Sequence, residues 1–242
     1  MINRKFFIKK GNLFFKYRSY IPIPIVLLAF YIYYTLPLSD LNSNFFNYCL
    51  IFSLIGLLIR IIVVGYSFTR TSGRNTKSQV ASKLNTTGMY SLIRHPLYLG
   101  NFFIWLGISF LTFNVTFILF SIIFYWTIYG AIILAEEKFL LKKFSYEYKS
   151  YSSVTPLIIP NFMKWRFPVT NFNLKKVIMN EKNGLMGIFT IFYFFNCIDT
   201  YKMYGNYYEI NLIFYLFLLS VIFYLIIKLF QKINKIYFES ST

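Results

Sequence analysis

Apolar residues fill long unbroken runs in this chain, and the polar residues are gathered between them. Six such runs stand out, at 21–38, 45–66, 96–113, 115–135, 184–200 and 210–230. Each is near the roughly 20 residues that cross the hydrocarbon of a bilayer. Only helices and closed barrels can span there, and unbroken apolar runs are helical. The pattern predicts an all-α, polytopic integral membrane bundle of about six transmembrane helices.

The polar intervals orient the bundle. Arg4, Lys5, Lys9, Lys10, Lys16 and Arg18 precede the first run, and Arg70, Arg74, Lys77, Lys83 and Arg94 separate the second from the third. Lys138, Lys142, Lys143, Lys149, Lys164, Arg166, Lys175, Lys176 and Lys182 follow the fourth, and Lys228, Lys232 and Lys235 close the sixth. The alternate intervals hold Asp40, Asp199, Glu209 and a single cation, Lys202. Positive residues stay on the cytoplasmic side, so both termini are expected there.

Composition agrees: 57% of residues are hydrophobic, 23% aromatic and only 14% charged, which places the chain in a membrane. A net charge of +17 would point a soluble protein toward nucleic acid. Here nearly all of it lines one membrane face, so anionic lipid head groups are the expected counterpart and nucleic acid is not. The first run contains Pro22 and Pro24 and ends without a small-residue cleavage site, so it reads as an uncleaved anchor. Cys49 and Cys197 fall near outer span ends, where a disulfide is conceivable and free cysteines are equally ordinary. Asn85-Thr86-Thr87 matches a glycosylation acceptor but falls on the cytoplasmic side.

Candidate chemistry gathers at two places. Arg94-His95-Pro96-Leu97-Tyr98-Leu99-Gly100 contains the single histidine of the chain, where a polar loop turns into an apolar helix. A helix starting at Pro96 leaves unpaired N–H groups below Arg94 and His95, a setting for anionic groups. Tyr98 shares a face with Arg94, and Gly100 would let a bound molecule approach the backbone. The second place is Glu136-Glu137, two of only eight acidic residues, expected at the cytoplasmic end of span four. Carboxylates are disfavoured at a helix C-terminus and a membrane boundary unless paired or functional, and no cation stands three or four residues further on.

Spans three and four are joined by little more than Asn114 and form a helical hairpin, which returns both places to one membrane face. Cations at one helix mouth and carboxylates at the other suit a zwitterion bearing a carboxylate, an amine and ribose hydroxyls, as S-adenosylmethionine does. No metal site is expected.

At these residues the sequence resembles the isoprenylcysteine carboxyl methyltransferases and related membrane phospholipid methyltransferases. The matching text runs from Gly88 to Gly100, then Glu136-Glu137 with Leu140, Phe144, Tyr148 and Tyr151, then Pro156 to Pro160. The resemblance implies an integral membrane enzyme using S-adenosylmethionine, with Tyr90, His95, Pro96, Tyr98 and Gly100 at the cofactor site. Leu84, Asn85 and a carboxylate from Glu136 or Glu137 would complete it, and Arg94 and Glu137 are the candidate catalytic residues. Two departures stand out. Ser145 occupies a position where glycine is common, and Ile132-Ile133 stand where the isoprenylcysteine enzymes carry an arginine for the substrate carboxylate.

Transfer of a methyl from a sulfonium cancels charge, so an oxyanion acceptor needs only positioning, whereas an amine must first lose a proton. The stretch 71–77, with Arg74, either offers groups that hold phosphate or is a solvated cytoplasmic loop, and Arg60 inside span two either snorkels or contacts substrate. The expected activity is methyl transfer to an amphipathic membrane acceptor, a lipid phosphate or carboxylate, in a bacterial-type inner membrane with the site facing the cytoplasm. The acceptor is thus a membrane lipid or lipidated substrate. Isoprenylcysteine O-methylation, phospholipid N-methylation, a nicotinamide-dependent membrane reductase and a non-catalytic transport or assembly protein are the alternatives. The chain divides into a basic segment with the first span (1–55), a methyltransferase core (56–160), and a cytoplasmic linker with a C-terminal hairpin (161–242).

Overall fold

The computed structural model describes residues 4–36, 43–69, 71, 79–207 and 209–240, except the side chains of 4, 5, 43, 44 and 234–240. Its helices are α1 (Arg4–Tyr17), α2 (Pro22–Thr35), α3 (Ser43–Tyr66), the single turn α4 (Met89–Leu92), α5 (Pro96–Phe110), α6 (Val115–Val154), α7 (Leu174–Tyr204) and α8 (Leu212–Ser240). A 3-10 turn occupies Phe162–Lys164. No strand occurs among the described residues, so the chain is an all-helical integral membrane protein.

Three helices are long and apolar enough to cross a membrane: α3, α6 and α8. α1 and α2 make a fourth crossing if their 72° bend is a broken span. The two remaining expected spans look different. α5 has 15 residues, short of the roughly 20 that span. α7 has 31, but Lys175, Lys176, Glu181 and Lys182 occupy its first three turns. The helix α1 and the early start of α7, ten residues before the expected boundary, are additions to the sequence reading.

Glycines set the closest approaches. A Cβ on Gly56 would stand 2.4 Å from the carbonyl oxygen of Gly100, and one on Gly107 would stand 2.6 Å from that of Cys49, so α3 and α5 touch backbone to backbone. α1 packs on α6 in the same manner, with Gly11 against the carbonyl of Ala131. α2, α3 and α7 enclose the main core, in which Ala29, Phe192 and Phe195 are completely buried.

α6 differs most from the expected span. It does not stop at 135 but runs for 40 residues, with one break at Ser145, where φ is 38° and ψ is −103°. Glu136 and Glu137 therefore sit inside a helix, and the unfavourable C-terminal dipole expected for them does not apply. At the start of α7, Asn173 caps the helix by accepting from the Lys176 amide at 2.8 Å. The Lys176 ammonium donates to the carbonyls of Ser67 at 2.6 Å and Phe68 at 3.1 Å, just past the end of α3. This tie fixes the N-terminal half of α7 against the end of α3. Cys49 and Cys197 are both free.

Candidate active site

Pro96 opens α5, and the backbone oxygen of His95 accepts from the amides of Tyr98 and Leu99 at 3.1 and 3.3 Å. The loop before it is stitched to the chain beyond α6. Arg94 N–H donates to Pro156 O at 2.9 Å, Gly88 N–H to Arg166 O at 2.8 Å, and Asn161 N–H to Leu92 O at 3.0 Å. Gly88 has φ 61° and ψ −136°, a backbone that side chains resist, which accounts for glycine at this turn. The Tyr151 hydroxyl adds a bond to Tyr90 O at 2.7 Å.

The hairpin brings the two sequence clusters together. Glu137 Oε1 accepts from Arg94 Nη1 at 2.6 Å and from the Tyr148 hydroxyl at 2.7 Å, with His95 Nε2 at 3.4 Å. His95 Nδ1 faces Glu136 Oε2 at 3.5 Å, so the imidazole lies between both carboxylates. Burial pulls the His95 pKa down, but the hydrogen bonds and charges of Glu136 and Glu137 outweigh it and hold it above the usual histidine value. The ring also stacks on Tyr98, centroids 5.7 Å apart.

A cavity of about 1000 Å³ opens beside this cluster. Leu84, Asn85, Tyr90, Arg94, His95, Pro96, Tyr98 and Glu136 line it. Glu137 and Gly100 do not. Glu137 is turned to Arg94 and Tyr148, and Gly100 faces α3, where a Cβ would lie 2.7 Å from Arg60 Cγ. The expectation that Gly100 opens the backbone to a ligand is therefore replaced by helix packing. The Asn85 side chain holds the loop leaving α3, accepting from Phe68 N–H at 2.9 Å and donating to Thr71 Oγ1 at 3.0 Å. Arg74 lies outside the described residues.

Arg60 also lines the cavity, and it is fully engaged. Nε and Nη2 each donate to Glu181 at 2.8 Å and Nη1 donates to Asn101 at 2.6 Å. Neither partner was evident from the sequence, where Glu181 lies between Asn180 and Lys182 ahead of the apolar run that begins at 184. Two polar atoms at the cavity residues remain without a hydrogen-bond partner although buried: Arg94 Nε and Gln79 Nε2. Ile132 and Ile133, where an arginine was conspicuous by its absence, are buried in an apolar cluster with Tyr98, Tyr125 and Tyr129.

The fold is thus a helical membrane bundle with a polar cavity walled by His95, Arg94 and Glu136, and Glu137 stands just behind them. Residues 47–147 match the family model for phospholipid methyltransferases. Protein-S-isoprenylcysteine O-methyltransferase of Saccharomyces cerevisiae is 32% identical over 131 residues, covering 49% of this chain and 54% of that protein. Over the matched stretch the chain is similar to the phospholipid methyltransferases and to this isoprenylcysteine methyltransferase. The chain spans about half the length of this curated relative. No solved structure gives a significant match.

Proposed function

We propose that this chain is a membrane methyltransferase that draws S-adenosylmethionine from the cytoplasm and methylates an amphipathic acceptor reaching the cavity from the bilayer. The carrying observation is the Arg94–Glu137–His95–Glu136 cluster on the wall of the 1000 Å³ cavity. Its residues suit the cofactor. The unpartnered Nε of Arg94 is a donor for a carboxylate, and Glu136 accepts from an ammonium or a ribose hydroxyl. Tyr90 and the His95–Tyr98 stack supply aromatic walls.

Held by Arg94 and Glu136, S-adenosylmethionine would supply an electrophilic methyl on a cationic sulfur to a lone pair of the acceptor. The protein's share is placement and charge. Arg94 touches the bound molecules, while Glu137 acts through Arg94, His95 and Tyr148 and is a positioning residue. An oxyanion acceptor, a lipid phosphate or carboxylate, fits best because the cavity wall carries Arg18, Lys83 and Arg94 against Glu136, with Arg60 and Glu181 engaged with each other. A prenylated cysteine carboxylate is the second reading, favoured by the yeast relative. Six membrane crossings with both termini and the site on the cytoplasmic face of a bacterial-type inner membrane complete the proposal, supported by the distribution of lysine and arginine.

Calorimetry of S-adenosylmethionine with the purified protein in nanodiscs tests the cofactor, and mass spectrometry of lipids from cells with and without the gene tests the acceptor. The expected results are binding and a lipid heavier by one methyl. Absence of binding, or full activity in a His95→Ala/Glu137→Ala variant, overturns the reading.

A further inference from the structure

Between α6 and α7 the chain runs as a strap, residues 155–173, that turns its largest apolar side chains outward. Ile159, Phe162, Met163, Phe167 and Val169 are each between 75 and 96% exposed. The backbone beneath them is pinned along its length. Asn161 N–H donates to Leu92 O at 3.0 Å, Arg166 O accepts from Gly88 N–H at 2.8 Å, and Arg166 N–H donates to the Ser91 hydroxyl at 2.9 Å. Further on, Asn173 N–H donates to Gly65 O at 3.0 Å and the Thr170 hydroxyl donates to Tyr66 O. Apolar side chains held outward on a backbone this well bonded form a surface that meets another phase or molecule.

The height of the strap says which. Gly65 and Tyr66 end α3, which is apolar enough to cross a membrane from Phe45 to Tyr66. The strap is therefore tied at the level where α3 leaves the hydrocarbon, and Phe172 packs on Tyr66 with ring centroids 5.2 Å apart. Trp165 stands in the middle of the strap, and tryptophan favours this depth. Charge agrees. No acid occurs between Glu147 and Glu181, whereas Lys149, Lys164, Arg166, Lys175 and Lys176 do. Lys164 and Arg166 alternate with the outward apolar residues, although the Lys164 ammonium also donates to Val154 O. Near an anionic bilayer surface each such cation strengthens binding about fivefold. The strap lies outside residues 47–147, so it is an addition to the family-matched stretch.

We propose that this strap is a docking surface for anionic lipid: Phe162, Met163 and Phe167 enter the head-group boundary of the bilayer while Lys164 and Arg166 meet lipid phosphates. Through its bonds to Gly88, Ser91 and Leu92 the docked strap holds the loop that carries Arg94 and His95 at the membrane surface. The proposal goes beyond the methyltransferase reading and stands whether or not S-adenosylmethionine binds.

The test places a nitroxide on Phe167→Cys in the full-length protein, on a Cys49→Ser/Cys197→Ser background, in nanodiscs of phosphatidylcholine with and without phosphatidylglycerol. Electron paramagnetic resonance reads collision of the label with oxygen and with a water-soluble nickel chelate. With phosphatidylglycerol present the label is expected about 5–10 Å into the boundary, where oxygen reaches it and the chelate does not. Lys164→Gln/Arg166→Gln should weaken the preference for phosphatidylglycerol about thirtyfold, which returns the label to its position in phosphatidylcholine alone. A label open to the chelate in both membranes overturns the docking, and equal depth in both overturns the choice of anionic lipid. Shielding from both reagents means that a protein covers the strap, and it overturns the lipid assignment. If the cysteine-free background does not fold, a phosphatidylglycerol with a diazirine near its glycerol decides on the unaltered protein: crosslinks at Phe162, Met163 or Phe167 support the docking, and crosslinks confined to the spans overturn it. Calorimetry with S-adenosylmethionine on the same samples keeps the claims apart, because a docked strap without cofactor binding refutes only the methyltransferase reading.

Discussion

The two charged clusters on the cavity wall are built in opposite ways. At Glu137, three donors from one hairpin and its continuation converge on a single carboxylate oxygen, and the arrangement leaves Arg94 Nε unpartnered and Glu136 facing the cavity. At Arg60, one guanidinium gives all three of its nitrogens to Glu181 and Asn101, drawing α3, α5 and α7 together. The first cluster keeps bonding capacity for a ligand. The second has used its capacity on the protein, so it behaves as a clamp. Charged residues in a membrane pocket are thus distinguished by what remains unsatisfied, and charge alone does not identify a binding group.

The sharpest way to break this distinction is to remove each carboxylate. Glu137→Ala strips the anchor from Arg94, His95 and Tyr148, and at about 1.5–3 kcal/mol per charged hydrogen bond, partly compensated by water, activity should fall about 10²–10³-fold. Methyl incorporation and S-adenosylmethionine affinity, measured together, check this. Glu181→Ala should leave that affinity within about threefold but lower unfolding stability by about 2–3 kcal/mol. The figure is at the low end for a broken buried pair because the Arg60 side chain is 22% exposed. An Arg60→Met/Glu181→Leu double variant should recover most of the loss in thermal unfolding. Equal loss of cofactor affinity in the Glu137 and Glu181 variants would erase the difference between the clusters.

The sequence carried the Glu137 cluster because its parts are local. Arg94-His95-Pro96 and Glu136-Glu137 lie at the two ends of one short-looped hairpin, and chain geometry alone returns them to one face. Glu181 is 121 positions from Arg60, on a helix whose placement depends on Lys176 reaching the end of α3, a contact that no periodicity encodes. The extension of α6 was hidden for a related reason: polar residues after 135 mark the exit from hydrocarbon but not the end of the helix. Gly100 shows the limit of reading a glycine from sequence, since room for a ligand and room for a neighbouring helix look alike until the neighbour is seen.

A smaller effect separates the clusters by pH. His95 has a folded pKa raised above its unfolded value near 6.5, so its protonation adds stability that is fully present below that value. The contribution is lost as pH rises through the folded pKa. Thermal unfolding of the wild type should therefore lose more stability than His95→Gln as pH rises from 6 to the alkaline side of that transition. The Arg60–Glu181 clamp contains no histidine, and Arg60→Met/Glu181→Leu should retain the wild-type pH slope.

The least effect expected is at Ser145, and it sharpens how the first cluster is assembled. The break there, with φ at 38°, turns the last stretch of α6 so that Tyr148 folds back onto Glu137, eleven residues earlier. A straight α-helix would carry Tyr148 about 16 Å along the axis from Glu137, beyond hydrogen-bond reach. Serine holds this backbone under strain that glycine would not feel, and family resemblance places glycine at the same position. Ser145→Gly should thus stabilise the protein by about 0.5–1 kcal/mol, because relief of the positive φ exceeds the added flexibility of the unfolded chain. Ser145→Val should do the reverse, and loosening of the Tyr148–Glu137 bond should accompany it, read as weakened S-adenosylmethionine binding with the Arg60 clamp intact. If Ser145→Gly destabilises instead, the turn is held by serine itself, and the Tyr148 contact owes its position to packing of Tyr148 and Tyr151 on Leu84 instead of to the break.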